Sequence, residues 1–422
     1  MHVAFVLPRF YPYRGGYENS LLALAKYLVA HGHRATVFTT VADDLESFWL
    51  PGFKTFPEEQ IMVEGMAVRR FPICYKALRR RATRLLGLAP YWRWKAQYWR
   101  PSFRVPGLVE ALREVDADLF HIGPLPYNSL MYAGLHAGES RHVPVVSTPC
   151  SHLGEPGNDE VLRHYLQPHQ VAMLQRCHQV LCMTQTEREQ LLRLGLRADQ
   201  LAVTPFGIDL PSVTGGDPNY LKREHNIDGP VVLHLGMKAF EKGSETLLEA
   251  MKILWARGSN AGLVMAGPSL SSFDDFMARE GHNCPRLMNL PSVSDAEKRN
   301  LLASATVVAQ PSRVESLGLV LIEAWANCKP VIAAEIAVSR ELVNAGRAGL
   351  LVPFGNAEPL AAAIEKLLSN SELRNRMGAG GYQAAMTYSG DDAWRRITAA
   401  FERIPTGRGA RNHTTSEASG AT

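Results

Sequence analysis

Apolar residues along this chain gather in short unbroken runs, separated by stretches where apolar side chains recur every three or four positions. The short runs fit strands buried on both faces of a parallel sheet, and the spaced ones fit amphipathic helices. Val3–Leu7 predicts a first strand, and a loop with Pro8, Pro12, Gly15 and Gly16 follows. Leu21, Leu22, Ala25 and Leu28 then mark a helix that Gly32 ends, and Ala35–Thr40 a second strand. Residues 61–72 alternate around Gly65 as a hairpin would. Leu119–Ile122 and Val143–Ser147 predict further strands, Leu162–Arg176 a helix and Leu181–Met183 a strand. Thr184-Gln-Thr-Glu187 has the spacing of a capping box and opens a helix closed by Gly195. Leu201–Thr204 is the last strand of this series, ahead of Pro205-Phe-Gly-Ile-Asp209.

Residues 211–218 hold two Gly, two Pro, a Ser and a Thr, which predicts a linker. The alternation then restarts. Val231–Leu235, Gly262–Ala266, Thr306–Gln310 and Val331–Ala334 read as strands, and Leu247–Leu254, Leu319–Ala326 and Ala357–Leu368 as helices. The expected fold class is therefore α/β, with two doubly wound, Rossmann-like domains facing across a cleft. Ligands are expected at the carboxyl ends of their strands. The divisions are an N-terminal domain over 1–210, the linker, a C-terminal domain over 219–385 and a closing helix over 386–404 that carries Trp394 and Ile397. Residues 405–422 are rich in Gly, Ser, Thr and Ala without apolar period, and are expected to be disordered.

Composition agrees with this picture. A chain of 422 residues is too long for one ordinary core. Its 46% apolar and 20% charged residues are those of a globular protein. A net charge of +4 is too mild to make nucleic acid the expected partner. Six scattered cysteines without a C-x-x-C pair argue against a zinc or disulfide framework and for a reducing compartment. The N-terminal apolar run is too short for a signal peptide, and no apolar stretch is long enough to span a bilayer. A cytoplasmic location is expected.

The chemistry concentrates after the strand at 306–310. In Gln310-Pro-Ser-Arg-Val-Glu315, a tight loop places Glu315 beside the start of the next helix, where Ser316, Leu317, Gly318 and Leu319 present backbone N–H groups suited to a phosphate. Glu323 sits among Ile322, Ala324 and Ala326, where a carboxylate needs hydrogen-bond donors such as ribose hydroxyls. Taken alone, the pair also fits a helix-dipole partner and a solvent-facing glutamate. Lys242, in the loop after Val231–Leu235, is a cation able to neutralise a leaving diphosphate, or simply a solvated lysine. Gly15 and Gly16 allow close approach to a ligand, with Glu18 and Asn19 just beyond.

The run Pro-Ser-x-x-Glu-Ser-x-Gly-x-x-x-x-Glu-Ala resembles the signature of the family 4 (group 1) retaining glycosyltransferases, whose two-domain fold is called GT-B. Gly15-Gly16, Pro205-Phe-Gly-Ile-Asp209, Glu241-Lys242-Gly243, Ala266-Gly267-Pro268 and Gly349-Leu-Leu-Val-Pro353 fall in the family's order, so the resemblance reaches to about residue 404. It implies a nucleotide-sugar donor held by Gly15, Gly16, Lys238, Lys242, Glu315, Ser316, Leu317, Gly318, Leu319 and Glu323. Glu315 would approach the donor sugar or phosphate, and Glu323 the ribose. It also implies retention without an enzymic nucleophile. No carboxylate pair is read as a metal site, so neither a metal nor a cofactor is expected. The expected product is a hexose moved to a glycan or lipid-linked acceptor, as in polysaccharide or glycolipid synthesis.

Two departures stand out. The family's arginine slot holds Met237, so Lys238 is the expected substitute, though it lacks an arginine's bidentate grip. The family's histidine slot holds Cys150, which leaves His152 as first candidate at the reacting centre and His121 as second. These departures keep open a non-catalytic sugar- or membrane-binding protein, beside a phosphorylase or epimerase on the same fold. Residues 75–104, with Arg79, Arg80, Arg81, Arg84, Trp92, Arg93, Trp94, Lys95, Trp99 and Arg100, combine cations with aromatics. They fit an anionic membrane surface, a nucleic acid or a solvated helix; the resemblance implies that the N-terminal domain, 1–210, binds the acceptor, which favours peripheral attachment to the inner membrane face.

Overall fold

The structure, a computed structural model, describes residues 1–13, 15–48, 52–74, 103–282, 284–346 and 348–405. The readings of 75–104 as a membrane contact and of 405–422 as a disordered tail therefore lie outside the described residues, apart from their ends.

The chain divides into two compact units: residues 1–151, 164–205 and 393 onward form the first, and 152–163 with 206–392 the second. The break is not a single linker at 211–218. That stretch is built into the second unit: Leu210–Val213 is a short helix, Asn327 Nδ2 donates to Val213 O at 2.9 Å, and Ser304 Oγ donates to Asp217 O at 3.1 Å. Its Gly and Pro residues shape turns against the unit. The helix Gly390–Glu402 joins the first unit from Ala393 on, with Trp394, Ile397 and Phe401 buried.

The first unit holds an eight-stranded sheet. Its strands are β1 (His2–Val6), β2 (Arg34–Thr40), β3 (Gln60–Val63), β4 (Met66–Phe71), β5 (Leu119–Ile122), β6 (Val145–Ser147), β7 (Gln179–Cys182) and β8 (Leu201–Val203). The order is β3-β4-β2-β1-β5-β6-β7-β8, parallel except for the hairpin β3–β4. β1 and β5 are buried along their whole length, as an apolar run inside a doubly covered sheet must be. The single helix expected over 162–176 is two, Glu160–Tyr165 and Pro168–Gln175. Pro168 has no N–H to continue a helix, so it starts one, and Gln167 caps it by accepting from Gln170's backbone while its own N–H donates to Gln170 Oε1 at 2.8 Å. The unit boundary at 163/164 runs through the first of these helices.

The second unit holds β9 (Val231–Leu235), β10 (Gly262–Ala266), β11 (Leu287–Leu290), β12 (Val307–Gln310), β13 (Val331–Ala334) and β14 (Gly349–Val352). They run in the order β11-β10-β9-β12-β13-β14, every pair parallel. Leu247, Leu248, Met251 and Leu254 of the helix Ser244–Ala256 and Leu360, Ile364 and Leu367 of the helix Ala357–Ser369 form one core with the sheet. The chain leaves β9 toward β10 and β11, then crosses to β12 on the other side. The winding thus reverses between β9 and β12, which pair through Val232 and Val307. In a sheet of this kind the crevice beyond the carboxyl ends of two such strands is where a ligand fits.

Candidate active site

Both loops at that crevice carry a residue singled out in the sequence. The turn after β9 presents Lys242 and the loop after β12 presents Glu315. Lys242 Nζ donates to Glu315 Oε1 at 2.8 Å and to Val314 O at 2.7 Å. Their side chains keep 25% and 18% of their exposure, so the pair is sheltered yet open to a ligand. Burial pushes the Glu315 carboxyl up, but the Lys242 cation and its hydrogen bond, the charge of His152 and a hydrogen bond from Ser312 outweigh it and hold it below the ordinary value. His152 is therefore gathered with Glu315 in the second unit.

The turn bearing Lys242 is fixed from below. His234, inside β9, is fully buried, with Nδ1 3.1 Å from Ala309 O and Nε2 3.1 Å from Ser244 Oγ. A carbonyl only accepts, so Nδ1 carries the proton and Nε2 accepts from the Ser244 hydroxyl. Ser244 Oγ in turn accepts from Ala239 N at 3.2 Å. Burial pushes the His234 imidazolium down to about 4, so the ring is neutral near pH 7. Gln310 Nε2 donates to Leu235 O at 2.7 Å and ties the ends of β9 and β12 together.

After Glu315 the chain passes Ser316 and the buried Leu317 to Gly318, in the left-handed region at φ +85°, and starts the helix Leu319–Ala326. No side chain caps this helix, so its first-turn N–H groups point outward with the positive end of the dipole. Glu323 lies one turn on, 8% exposed. Its Oε1 is 2.5 Å from Lys298 Nζ, while Oε2 is buried and makes no hydrogen bond among the described residues. A buried carboxylate oxygen in that state is a vacancy for a donor, and two ribose hydroxyls are of the right kind.

The other expected residues have neighbours of their own. Lys238 is 3% exposed, and its ammonium donates to Asn289 Oδ1 at 2.7 Å and Leu290 O at 2.6 Å. Those bonds brace β11. Burial lowers the pKa of Lys238. His121, the second choice at the reacting centre, is a core residue of the first unit: Nε2 lies 2.8 Å from Thr148 Oγ1, and its ring tilts against Phe5 and Phe401. Burial pushes it down to about 3, too low for acid–base work near neutrality. Gly15 and Gly16 open the helix Gly16–Ala30 of the first unit. Glu18 there is buried and paired with Arg9 at 3.3 Å. Cys150 takes a left-handed φ of +48°, and the chain turns there before Ser151, whose N–H donates to Glu187 Oε1 at 2.6 Å. The turn lets His152, two residues on, join the second unit.

Residues that the sequence reading passed over include Ser312, Arg313, Lys298 and the His234–Ser244 pair. Asp116-Ala117-Asp118 also has an Asp-x-Asp spacing. Asp118 Oδ2 accepts from His2 N at 2.7 Å, at the amino edge of the first sheet. No helix among the described residues is long and apolar enough to cross a membrane.

The geometry defines a class: a two-unit α/β protein with an anion-friendly helix start, a lysine–carboxylate pair and a buried glutamate at the switch point of its second sheet. Residues 220–384 match the Glycosyl transferases group 1 family and residues 15–207 the Glycosyl transferase 4-like domain. The chain belongs to the group 1 glycosyltransferases of GT-B type and is a glycosyltransferase. It is 26% identical over 406 residues to a phosphatidyl-myo-inositol mannosyltransferase of Mycolicibacterium smegmatis, covering 96% of this chain and 93% of that one. It is 29% identical over 239 residues to a D-inositol 3-phosphate glycosyltransferase of a Nocardioides species, covering 52% of each chain. Its fold is similar to that of HepE from Anabaena, solved with UDP and glucose, at a TM-score of 0.70 and 22% identity over 96% of this chain and all of that one.

Proposed function

We propose that this glycosyltransferase moves a hexose-type sugar, with retention of configuration, from a nucleotide-sugar donor held in the second unit to a lipid-linked or glycolipid acceptor. The observation that carries the donor reading is Lys242 paired with Glu315 at the switch point, beside an uncapped helix start and within reach along one helix of Glu323. The diphosphate lies at the helix start, the ribose on Glu323, and Glu315 with His152 at the sugar. As the bond from C1 to the phosphate oxygen breaks, negative charge collects on the diphosphate, and Lys242 offsets it. The acceptor oxygen bonds to C1 on the face the leaving group vacates, and its proton passes to that leaving phosphate. No enzymic nucleophile, metal or cofactor enters this scheme; activity that a chelator abolished and magnesium restored would overturn that part.

Support for the acceptor class is the Mycolicibacterium relative, a phosphatidyl-myo-inositol mannosyltransferase along nearly the whole chain. A cytoplasmic enzyme resting on the inner membrane face through 75–104 accords with it. Flotation with anionic liposomes tests the attachment, which should weaken when Arg79–Arg81 are replaced. The function itself is tested by incubating the chain with UDP-, GDP- and dTDP-sugars and measuring nucleotide release: one donor should be consumed, and Glu315→Ala should stop it. A chain that binds a nucleotide but turns over none would favour the non-catalytic reading.

A further inference from the structure

Two residues before Glu315 the chain places a buried arginine. Arg313 is 5% exposed. Its guanidinium faces three carboxylates: Nε is 3.1 Å from Glu155 Oε1 and 3.6 Å from Glu241 Oε2, and Nη2 is 3.3 Å from Glu160 Oε2. Its cationic carbon stands 5.0 Å from the centre of the Phe354 ring. The backbone reinforces one of these ties, since Arg313 N donates to Glu241 O at 3.0 Å and Ser312 Oγ donates to the same carbonyl at 3.3 Å.

Each partner belongs to a segment that carries a site residue. Glu241 is the neighbour of Lys242. Glu155 and Glu160 lie within the stretch that begins with His152 and is counted with the second unit through residue 163. Arg313 itself shares a loop with Glu315. That stretch is also held by Ala337 N, which donates to Gly154 O at 3.2 Å, and by the buried Val161, while Glu160 keeps 45% of its side-chain exposure. A guanidinium can hold several oxygens at once in fixed directions, which an ammonium cannot.

We propose that Arg313 is a positioning residue: one guanidinium sets the spacing among the three segments that carry His152, Lys242 and Glu315, without touching substrate. This rests on the donor-site reading above. Misplacement of reacting groups by about 1 Å costs on the order of a hundredfold in rate, whereas the ribose site on Glu323 lies on a helix that Arg313 does not touch. Losing Arg313 should therefore lower turnover and leave affinity for the nucleoside, which lacks the diphosphate that Lys242 meets, nearly alone.

The test uses the full chain with the donor that the wild type consumes. Arg313→Met should lower kcat roughly a hundredfold with the calorimetric Kd for the free nucleoside within about threefold of wild type, and Arg313→Lys should recover only part of the rate. Glu155→Gln, which removes one of the three facing charges while keeping an acceptor oxygen, should give a smaller loss of the same kind. Unchanged kcat in Arg313→Met overturns the proposal, as does a loss of rate and affinity together. If Arg313→Met does not fold, Glu155→Gln decides: kcat lowered with Kd kept supports the proposal, and kcat unchanged overturns it. A wild type that consumes no donor sinks the donor-site reading instead, so the two failures are told apart.

Discussion

Lys242 and Glu315 lie 73 residues apart in sequence and 2.8 Å apart in space, each the other's charged partner at the reversal of the second sheet. Removing either leaves a sheltered charge without compensation. Lys242→Met should lower nucleotide release by about two orders of magnitude, the usual consequence of losing one group that faces developing charge. The pair also has a pH signature. Glu315's carboxyl is held below its ordinary value of 4.5, so its stabilisation is present above that value and disappears as pH falls through the lower folded one. The drop in Tm between pH 7 and pH 3 should therefore be smaller in Glu315→Gln than in wild type. An equal drop would show that the pairing adds nothing to the folded state.

Glu323 makes a different prediction because its second oxygen is buried and makes no hydrogen bond among the described residues, while Lys298 holds the first. If the ribose fills that vacancy, ribonucleotide should bind more tightly than its 2′,3′-dideoxy counterpart, and Glu323→Ala should abolish the difference. A hydrogen bond to a charged group is worth about 1.5–3 kcal/mol, so the ratio of Kd values should be roughly ten- to a hundredfold. Wild type that binds the two nucleotides alike would remove Glu323 from the ribose site.

The sheet strands were legible because β9, β10, β12 and β13 are buried on both faces, which leaves unmistakable apolar runs such as Val231–Leu235. β11 was not, since Leu287–Leu290 is half-exposed at the sheet edge and its residues carry no such run. Lys242, Glu315 and Glu323 were singled out by the resemblance of their motifs to a family signature, and the structure brings Lys242 to Glu315. Lys298 was not singled out: it meets Glu323 from another helix 25 residues away, and nothing local announces that encounter. Lys238 looked cationic and available, and only the fold reveals that Asn289 and Leu290 take its ammonium. Arg313 stood inside the signature, where attention to the glutamate passed over the residue that ties the loop down.

The two histidines should separate cleanly. His152 acts on Glu315 electrostatically, whereas His121 is buried against Phe5 and Phe401. His152→Ala should reduce nucleotide release while leaving Tm near that of wild type. His121→Gln should do the reverse, lowering Tm with the specific activity of the folded fraction kept. Because His121 is pushed down to about 3, the folded state resists its protonation, and it contributes a loss of stability as pH falls from about 6.5 toward that value. His121→Gln removes that contribution, so its deficit in Tm should shrink in acid. A fall in activity per folded molecule in His121→Gln would return this residue to the reacting centre.

Gly243 offers a test with its own control. It sits at φ +71°, directly after Lys242, and a Cβ there would fall 2.2 Å from Pro311 O, a backbone atom with little freedom to retreat. Gly355 has the same φ of +71°, yet a Cβ there would meet nothing within 4 Å. Alanine at either position carries the cost of a left-handed side chain, about 1–2 kcal/mol. Only Gly243→Ala must also push the Lys242 turn away from the loop that leads to Glu315. Gly355→Ala should therefore lower Tm slightly and keep full nucleotide release. Gly243→Ala should lower Tm further and cut release well beyond what its loss of folded protein explains. Equal activities in the two variants would mean that the separation of the two loops does not govern the reaction.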